Sequence, residues 1–410
     1  VVRLTSWRVF RNTLAVLSLC SALATAARAE TNPGNSEFLQ CKQRLQDQAI
    51  TAGVSEQTAR GVLAEVRHLD RVIELDRRQP EFTTTFSDYL GRRVNDTRVS
   101  RGRELLTEHQ KLLARVTRET GVPAPYLLAF WGLETNYGSY FGKMSVPSAL
   151  ATLACDPRRR DFFTTQFIAA LQIIDEGAIP VNQMEGSWAG AMGHVQFMPT
   201  VFLQHAVDAD GDGRRDLWNS LPDAMMSAGK FLASMGWDGS YRWGREVRLP
   251  DSFDYSLADG QKRPLQAWRE QGITDAFGNA LADEPIKASL IIPAGHRGPA
   301  FLAYHNFRVI MGWNRSEFYA IAVGHLADRI AGAGKLQIPP PNDLPALSRG
   351  QVIQLQTFLN SQGYSAGKAD GILGSNTRSA IRAYQKAKGL IADGVPSETL
   401  LTTLGITPED

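Results

Sequence analysis

Between Pro125 and Gly138 the sequence reads Pro-Tyr-Leu-Leu-Ala-Phe-Trp-Gly-Leu-Glu-Thr-Asn-Tyr-Gly. Pro125 suits the first turn of a helix. The apolar residues after it cover every side, so the spacing predicts a helix buried all round. Glu134 stands near its C-terminal end. A carboxylate there loses water and faces the negative end of the helix dipole, and both effects raise its pKa. A Glu that stays protonated near neutral pH can act as the general acid that glycosidic cleavage needs. The alternative is a helix-end Glu held in a structural salt bridge.

A second segment runs Gly186-Ser187-Trp188-Ala189-Gly190-Ala191-Met192-Gly193-His194-Val195-Gln196-Phe197-Met198-Pro199-Thr200. Its small residues let backbone approach a ligand closely. Ser187 and Gln196 offer neutral hydrogen-bonding groups, and Trp188 and Phe197 offer flat apolar faces. A sugar chain, with hydroxyls on its rim and C–H groups on its faces, fits that mixture. The competing assignment is a Gly/Ala segment that packs in a core.

The third pattern is Asp208-x-Asp210-x-Asp212-Gly213-Arg214-x-Asp216, the spacing of an EF-hand calcium loop. Alternate carboxylates in a turn repel unless a cation sits among them. Asp208, Asp210, Asp212 and Asp216 would give side-chain oxygens, and Arg214 its carbonyl. Position 12 departs from the pattern, with Asn219 in place of a bidentate Glu. The alternative is a solvated Asp/Gly turn. The seven His show no metal-ligand spacing, and no phosphate loop or organic-cofactor motif stands out.

These segments need a scaffold. The chain has 410 residues, 43% of them hydrophobic and 21% charged, which is ordinary globular composition and suggests two or three domains. It excludes a disordered chain, a collagen and a multi-span membrane protein. A net charge of +2 argues against a dedicated nucleic-acid binder. Residues 1–29 read as a cleaved secretory signal: Arg3, Arg8 and Arg11, then a mostly apolar stretch from Leu14, then Ala27-Arg28-Ala29. An uncleaved anchor, or a lipoprotein using Cys20, is the lesser alternative. Removing the signal leaves Cys41 and Cys155, and in an exported protein an isolated pair reads as one disulfide, against two buried thiols. Export and a disulfide point to the periplasm.

Gln40–Leu63, Val99–Val116 and Ser316–Ile330 carry helical apolar spacing, and Asp76-Arg77-Arg78-Gln79-Pro80 predicts a turn. Residues 246–299, with Pro250, Pro264 and Pro293, favour short strands or irregular structure. Ala331-Gly332-Ala333-Gly334 and Pro339-Pro340-Pro341 predict a semi-stiff spacer over 336–346. A unit of about 60 residues follows at 347–408. In it Ser348 and Gln351 form a capping box, Gly363 ends a helix, and Asp370-Gly371 and Asp393-Gly394 turn the chain. No further internal repeat stands out.

Gly132-Leu133-Glu134-Thr135, the Gly186–Pro199 segment and Asn314-x-Ser316-x-x-Tyr319-Ala320 together resemble the lytic murein transglycosylase B family, over roughly residues 36–332. The resemblance implies a mainly α (α+β) fold: a lysozyme-like core at about 119–245 and 300–332, a helical N-terminal part and a small insertion. It implies cleavage between N-acetylmuramic acid and N-acetylglucosamine without water, with Glu134 as the single acid/base. It also implies that Ser187, Gln196, Asn314 and Tyr319 bind substrate or orient the acid. Arg159 and Arg160 match basic residues near the peptide stem or lactyl carboxylate; otherwise they are a solvated cluster. Asp223 would close a longer calcium loop. Leu359-x3-Gly363-Tyr364, Asp370-Gly371-x2-Gly374-x2-Thr377 and Gly389-Leu390-x2-Asp393-Gly394 resemble a three-helix peptidoglycan-binding domain. The reading is thus a monomeric periplasmic enzyme acting on peptidoglycan glycan strands, with structural calcium. A hydrolytic muramidase and a non-catalytic wall-binding scaffold are the alternatives.

Overall fold

The computed structural model describes residues 33–78 and 84–406. The signal segment at 1–29 and the end of the turn at Asp76–Pro80 lie outside the described residues. Helices α1 (Pro33–Thr51), α2 (Glu56–Glu65), α3 (Asp70–Arg78), α4 (Phe86–Arg93), α5 (Asp96–Glu108) and α6 (Gln110–Thr120) form the N-terminal part. Two breaks fall inside stretches that periodicity reads as continuous. Gln40–Leu63 divides where Ser55 caps α2, its Oγ accepting the Thr58 N–H at 3.2 Å. Val99–Val116 divides at His109, whose φ of −103° and ψ of 22° leave the helix. Neither glycine nor proline marks that second break. His109 instead faces the Trp131 ring at 6.1 Å.

Next come α7 (Ala124–Thr135), β1 (Met144–Ser145), α8 (Val146–Cys155), α9 (Arg160–Asp175), β2 (Glu185–Gly186), α10 (Pro199–His205) and α11 (Leu221–Ser234). As its composition requires, α7 is buried on every side from Tyr126 to Leu133. The strands β1 and β2 pair antiparallel, with Met144 opposite Gly186. They set the start of the Gly186–Pro199 segment beside the chain that leaves α7.

The insertion is a five-stranded antiparallel sheet, β3 (Gly244–Arg248), β4 (Arg263–Pro264), β5 (Thr274–Asp275), β6 (Lys287–Ile291) and β7 (Ala300–Ala303), in the order β4-β6-β7-β3-β5. The short helix α12 (Leu265–Glu270) covers it. Trp268, Leu265, Val247 and Leu302 form a core separate from the main one. Then α13 (His305–Trp313) and α14 (Glu317–Ile330) return to α7.

The last unit holds α15 (Arg349–Ser361), α16 (Ser375–Ala387) and α17 (Glu398–Thr403) around Leu355, Leu359, Ile381 and Leu401. The Ser348/Gln351 capping box is formed, and Gly363 follows α15 with a φ of 82°. This unit does contain a repeated device that its sequence conceals. The Gln356 amide donates to Asp370 at 3.0 Å and accepts the Gly371 N–H at 2.9 Å. The Gln385 amide does the same for Asp393 at 2.9 Å and Gly394 at 2.8 Å. Each helix thus staples one Asp-Gly turn through a buried glutamine, leaving neither amide unsatisfied.

Cys41 of α1 and Cys155 at the end of α8 are bonded, with Cα atoms 5.9 Å apart across 114 residues of sequence. The bridge ties the first helix of the N-terminal part to the end of α8. A chain loop of that length makes the link stabilising by about 2–5 kcal/mol. We expect a C41S/C155S variant to unfold at distinctly lower denaturant than the oxidised protein. Equal midpoints would show that the bridge contributes nothing.

Candidate active site

The carboxyl of Glu134 is half-buried near the C-terminal end of α7. Its Oε1 accepts the Trp313 indole N–H at 3.0 Å and the Tyr319 hydroxyl. Both donors come from one corner of the fold, the end of α13 and the first turn of α14. Tyr319 is 5% exposed. Burial, with the Glu134 charge beside it, holds its phenol well above the ordinary tyrosine range, so it remains a donor. Trp313 is wedged among Phe130, Phe197 and Phe231, with ring centroids 4.5, 5.4 and 5.3 Å away. The indole cannot swing without disturbing three elements.

The chain turns sharply after Glu134. Asn136 and Tyr137 take left-handed φ values of 50° and 59°, a strained pair that clusters where function requires it. The turn folds the Tyr137 ring back onto α7, where a Cβ at Gly132 would lie 2.7 Å from it. This close approach explains the glycine of Gly132-Leu133-Glu134-Thr135. The Tyr137 hydroxyl donates to the Arg98 carbonyl at 2.8 Å, fastening the turn to α5.

The Gly186–Pro199 segment is a compact loop. Ser187 N–H donates to Ala191 O at 2.9 Å, and Met192 and Phe197 exchange backbone bonds at 2.9 and 3.1 Å. Gly193 has a φ of 66°, and a Cβ there would lie 2.5 Å from the Leu217 carbonyl. The small residues therefore serve close approach of the loop to its own surroundings, and Phe197 is 2% exposed, part of the core and not a sugar-facing surface. His194 joins the loop to α7. Its Nδ1 accepts the Trp131 indole N–H at 2.9 Å, and its carbonyl accepts the Thr135 hydroxyl at 2.9 Å. Burial pulls the His194 imidazole down to about 4, so it is neutral.

Ser187 Oγ accepts the Ala191 N–H at 3.0 Å. The Gln196 amide donates to Phe141 O at 3.2 Å and Gly193 O at 3.0 Å. Asn314 Oδ1 accepts the Ser316 N–H at 3.0 Å and shapes the entry to α14. Ser187, Gln196 and Trp188 are half-buried at the loop surface. Arg159 is placed differently. With Arg158 it forms an ion pair with Asp76, which is 3% exposed, and so braces α3 against the start of α9. Arg160 is exposed. Trp313 and His194 are the site residues that sequence reasoning passed over. The signal for Trp313 was its place directly before Asn314.

In the Asp-rich loop between α10 and α11, carboxylate oxygens of Asp208, Asp210 and Asp212 lie within 4.8 Å of one another. Three convergent anionic oxygens suit a hard cation such as calcium. Asp216 and Asp223 do not join them. Asp216 accepts the Trp218 and Asn219 N–H groups at 2.8 and 2.9 Å. Asp223 is fully buried and accepts the Ala209 and Asp216 N–H groups at 2.7 and 2.8 Å. Burial raises its carboxyl, against these amides. It fastens the two ends of the loop.

Residues 37–328 match the profile described as the transglycosylase SLT domain, and residues 348–404 match a putative peptidoglycan binding domain. The chain belongs to the SLT transglycosylase family. Membrane-bound lytic murein transglycosylase B of Escherichia coli (strain K12) is 28% identical over 295 residues, covering 68% of this chain and 79% of that protein. The structure of SltB3 from Pseudomonas aeruginosa with NAG-anhNAM-pentapeptide has a TM-score of 0.86 and 44% identity, covering 90% of this chain and 99% of that one. Escherichia coli Slt35, solved in complex with calcium, has a TM-score of 0.60 and 28% identity, covering 71% and 92%. The SLT family assigns this chain as a peptidoglycan lytic transglycosylase, with a mainly helical, lysozyme-like catalytic part and a helical peptidoglycan-binding unit. Among the described residues no helix is long and apolar enough to cross a membrane.

Proposed function

We propose that Glu134 is the single acid/base with which this enzyme cleaves the bond between N-acetylmuramic acid and N-acetylglucosamine. The carboxyl proton passes to the bridging oxygen as the C1–O bond breaks. The carboxylate then takes the proton of the muramic acid C6 hydroxyl as O6 bonds to C1. The product has a 1,6-anhydro end, no water is consumed, and Glu134 regains its proton. The intramolecular hydroxyl supplants water by proximity. The observation that carries this reading is the paired donation of Trp313 and Tyr319 to one oxygen of a half-buried Glu134. Ser187, Gln196 and Asn314 keep the flanking loops in shape and offer their remaining polar atoms to substrate. Arg159 acts through the scaffold, and Arg160 remains a candidate stem contact.

The test is mass spectrometry of products released from purified sacculi. Ends lighter by one water than hydrolysed muropeptides are expected. Hydrolysed ends would favour a muramidase.

The same proposal places the enzyme in the periplasm as a monomer, with residues 30–335 catalytic, 336–346 the linker and 347–408 the wall-binding module. Asp208, Asp210 and Asp212, with the Arg214 carbonyl, would hold calcium, which supplies loop stiffness and no step of the reaction. At a calcium concentration a hundred times its Kd, binding adds about 2.7 kcal/mol of stability. We expect chelation to lower Tm and calcium to restore it, with no restoration in D208N/D210N. An unchanged Tm throughout would remove the metal.

A further inference from the structure

We propose that the cavity between the catalytic part and the C-terminal module binds the carboxylate end of a peptide stem. The proposal rests on the peptidoglycan reading above and extends it to a site away from the glycan cleft. The cavity has a volume of about 290 Å³, at the low end for ligand sites. Its floor is apolar, from Phe318, Leu347, Val352 and Ile372. Arg315 and Arg378 line it as well. Among the described residues neither guanidinium has a hydrogen bond or an ion pair. Arg378 is half-buried, with its charge 5.8 Å from the Phe318 ring centroid.

The balance of charge in this cavity is positive. Glu317 is the one acidic side chain among its lining residues, against Arg315 and Arg378; burial raises its carboxyl, and the nearby Arg378 and Arg382 charges oppose that shift. Gly374 and Ser375 bring in the N-terminus of α16, which no side chain caps. Its amides add to the attraction for an anion. A glycan presents neutral hydroxyls and would bring no charge to the half-buried Arg378 or to the exposed Arg315. A peptide end presents one carboxylate, which a guanidinium binds well, and small apolar side chains suited to the floor.

The cavity is also a fixed structure. Asp393 of the module accepts the His296 N–H at 3.1 Å and lies 2.7 Å from the His296 ring nitrogen. Arg297 pairs with Asp343 at 2.8 Å. The carboxylate of Glu246 accepts the Gln337 and Ile338 N–H groups at 2.9 and 2.8 Å, so the start of the spacer is held down. The first turn of α14 forms one wall of the cavity, and the same turn presents Tyr319 to Glu134. The cavity and the Glu134 site thus share the first turn of α14. The module, on this reading, completes a specificity site and is more than a tether.

The test uses full-length protein with two substrates, stem-bearing glycan and glycan stripped of its peptides. Wild type should show a lower KM for the stem-bearing strands. R315Q/R378Q should raise that KM about tenfold, the worth of one charge-assisted bond, and leave kcat and stripped-glycan kinetics unchanged. S375W, which fills the cavity without removing charge, should do the same. Calorimetry with free pentapeptide should show binding to wild type and none to either variant. A distant stem could also be bound, and then the free peptide would bind while KM stayed equal for both substrates; that outcome overturns the proposal for the reacting strand. Equal KM values with no peptide binding overturn it altogether. Hydrolysed instead of anhydro products would refute the Glu134 mechanism while leaving the KM comparison to decide the cavity.

Discussion

E134Q is expected to fold and bind glycan and to release anhydro-muropeptides far more slowly than wild type. The amide keeps an oxygen where Oε1 stands, so the Trp313 and Tyr319 donors retain their partner. On the proposed mechanism, it has no acidic proton to give to the bridging oxygen and no base to receive one from the C6 hydroxyl. Loss of general acid/base catalysis lowers rates by about 10²–10⁴-fold, and here one group serves both halves of the reaction. We therefore expect kcat to fall by at least about 10³-fold with the Kd for glycan and the Tm little changed. Cleavage by E134Q at near wild-type rate would assign the chemistry to another residue.

The buried helix that carries Glu134 was legible because its apolar residues cover every side. A helix with no polar face must be buried, and a lone carboxyl in it is exceptional. The sharp turn after it was not legible. Asn136 and Tyr137 are L-residues with positive φ, a conformation no composition rule assigns to tyrosine. It is imposed by tertiary contacts, the Tyr137 ring on Gly132 and its hydroxyl on Arg98.

The loop glycines show a different limit. Sequence alone marks close backbone approach but not what approaches. Here the partners are the Leu217 carbonyl and the loop itself, so a feature that suits a sugar serves packing first. Trp313 illustrates the same limit from the other side. Its role comes from Phe130, Phe197 and Phe231, which lie far from it in sequence. Basic residues were the weakest signal, because a guanidinium reads identically whether it meets a substrate or a buried carboxylate such as Asp76. The helix breaks at Ser55 and His109 fall within periodic stretches, where apolar spacing continues across a change of direction.

The second large effect is expected from Y319F. Phenylalanine fills the same buried space and removes only the hydroxyl, so the fold loses little. Glu134 keeps the indole donor and loses the phenol. Deleting one preorganised donor at a site of changing charge costs about 10²–10³-fold in kcat. The lower half of that range is expected here, because Trp313 still anchors the same oxygen. A donor to a carboxylate favours its charged form, so its removal should move the alkaline limb of the kcat/KM profile to higher pH. W313F should act in the same direction with an added loss of stability, since its ring is packed against three aromatic side chains. A purely structural Tyr319 would lower Tm in Y319F and leave the pH profile where it was. Wild-type kcat with an unmoved profile would separate Tyr319 from the acid.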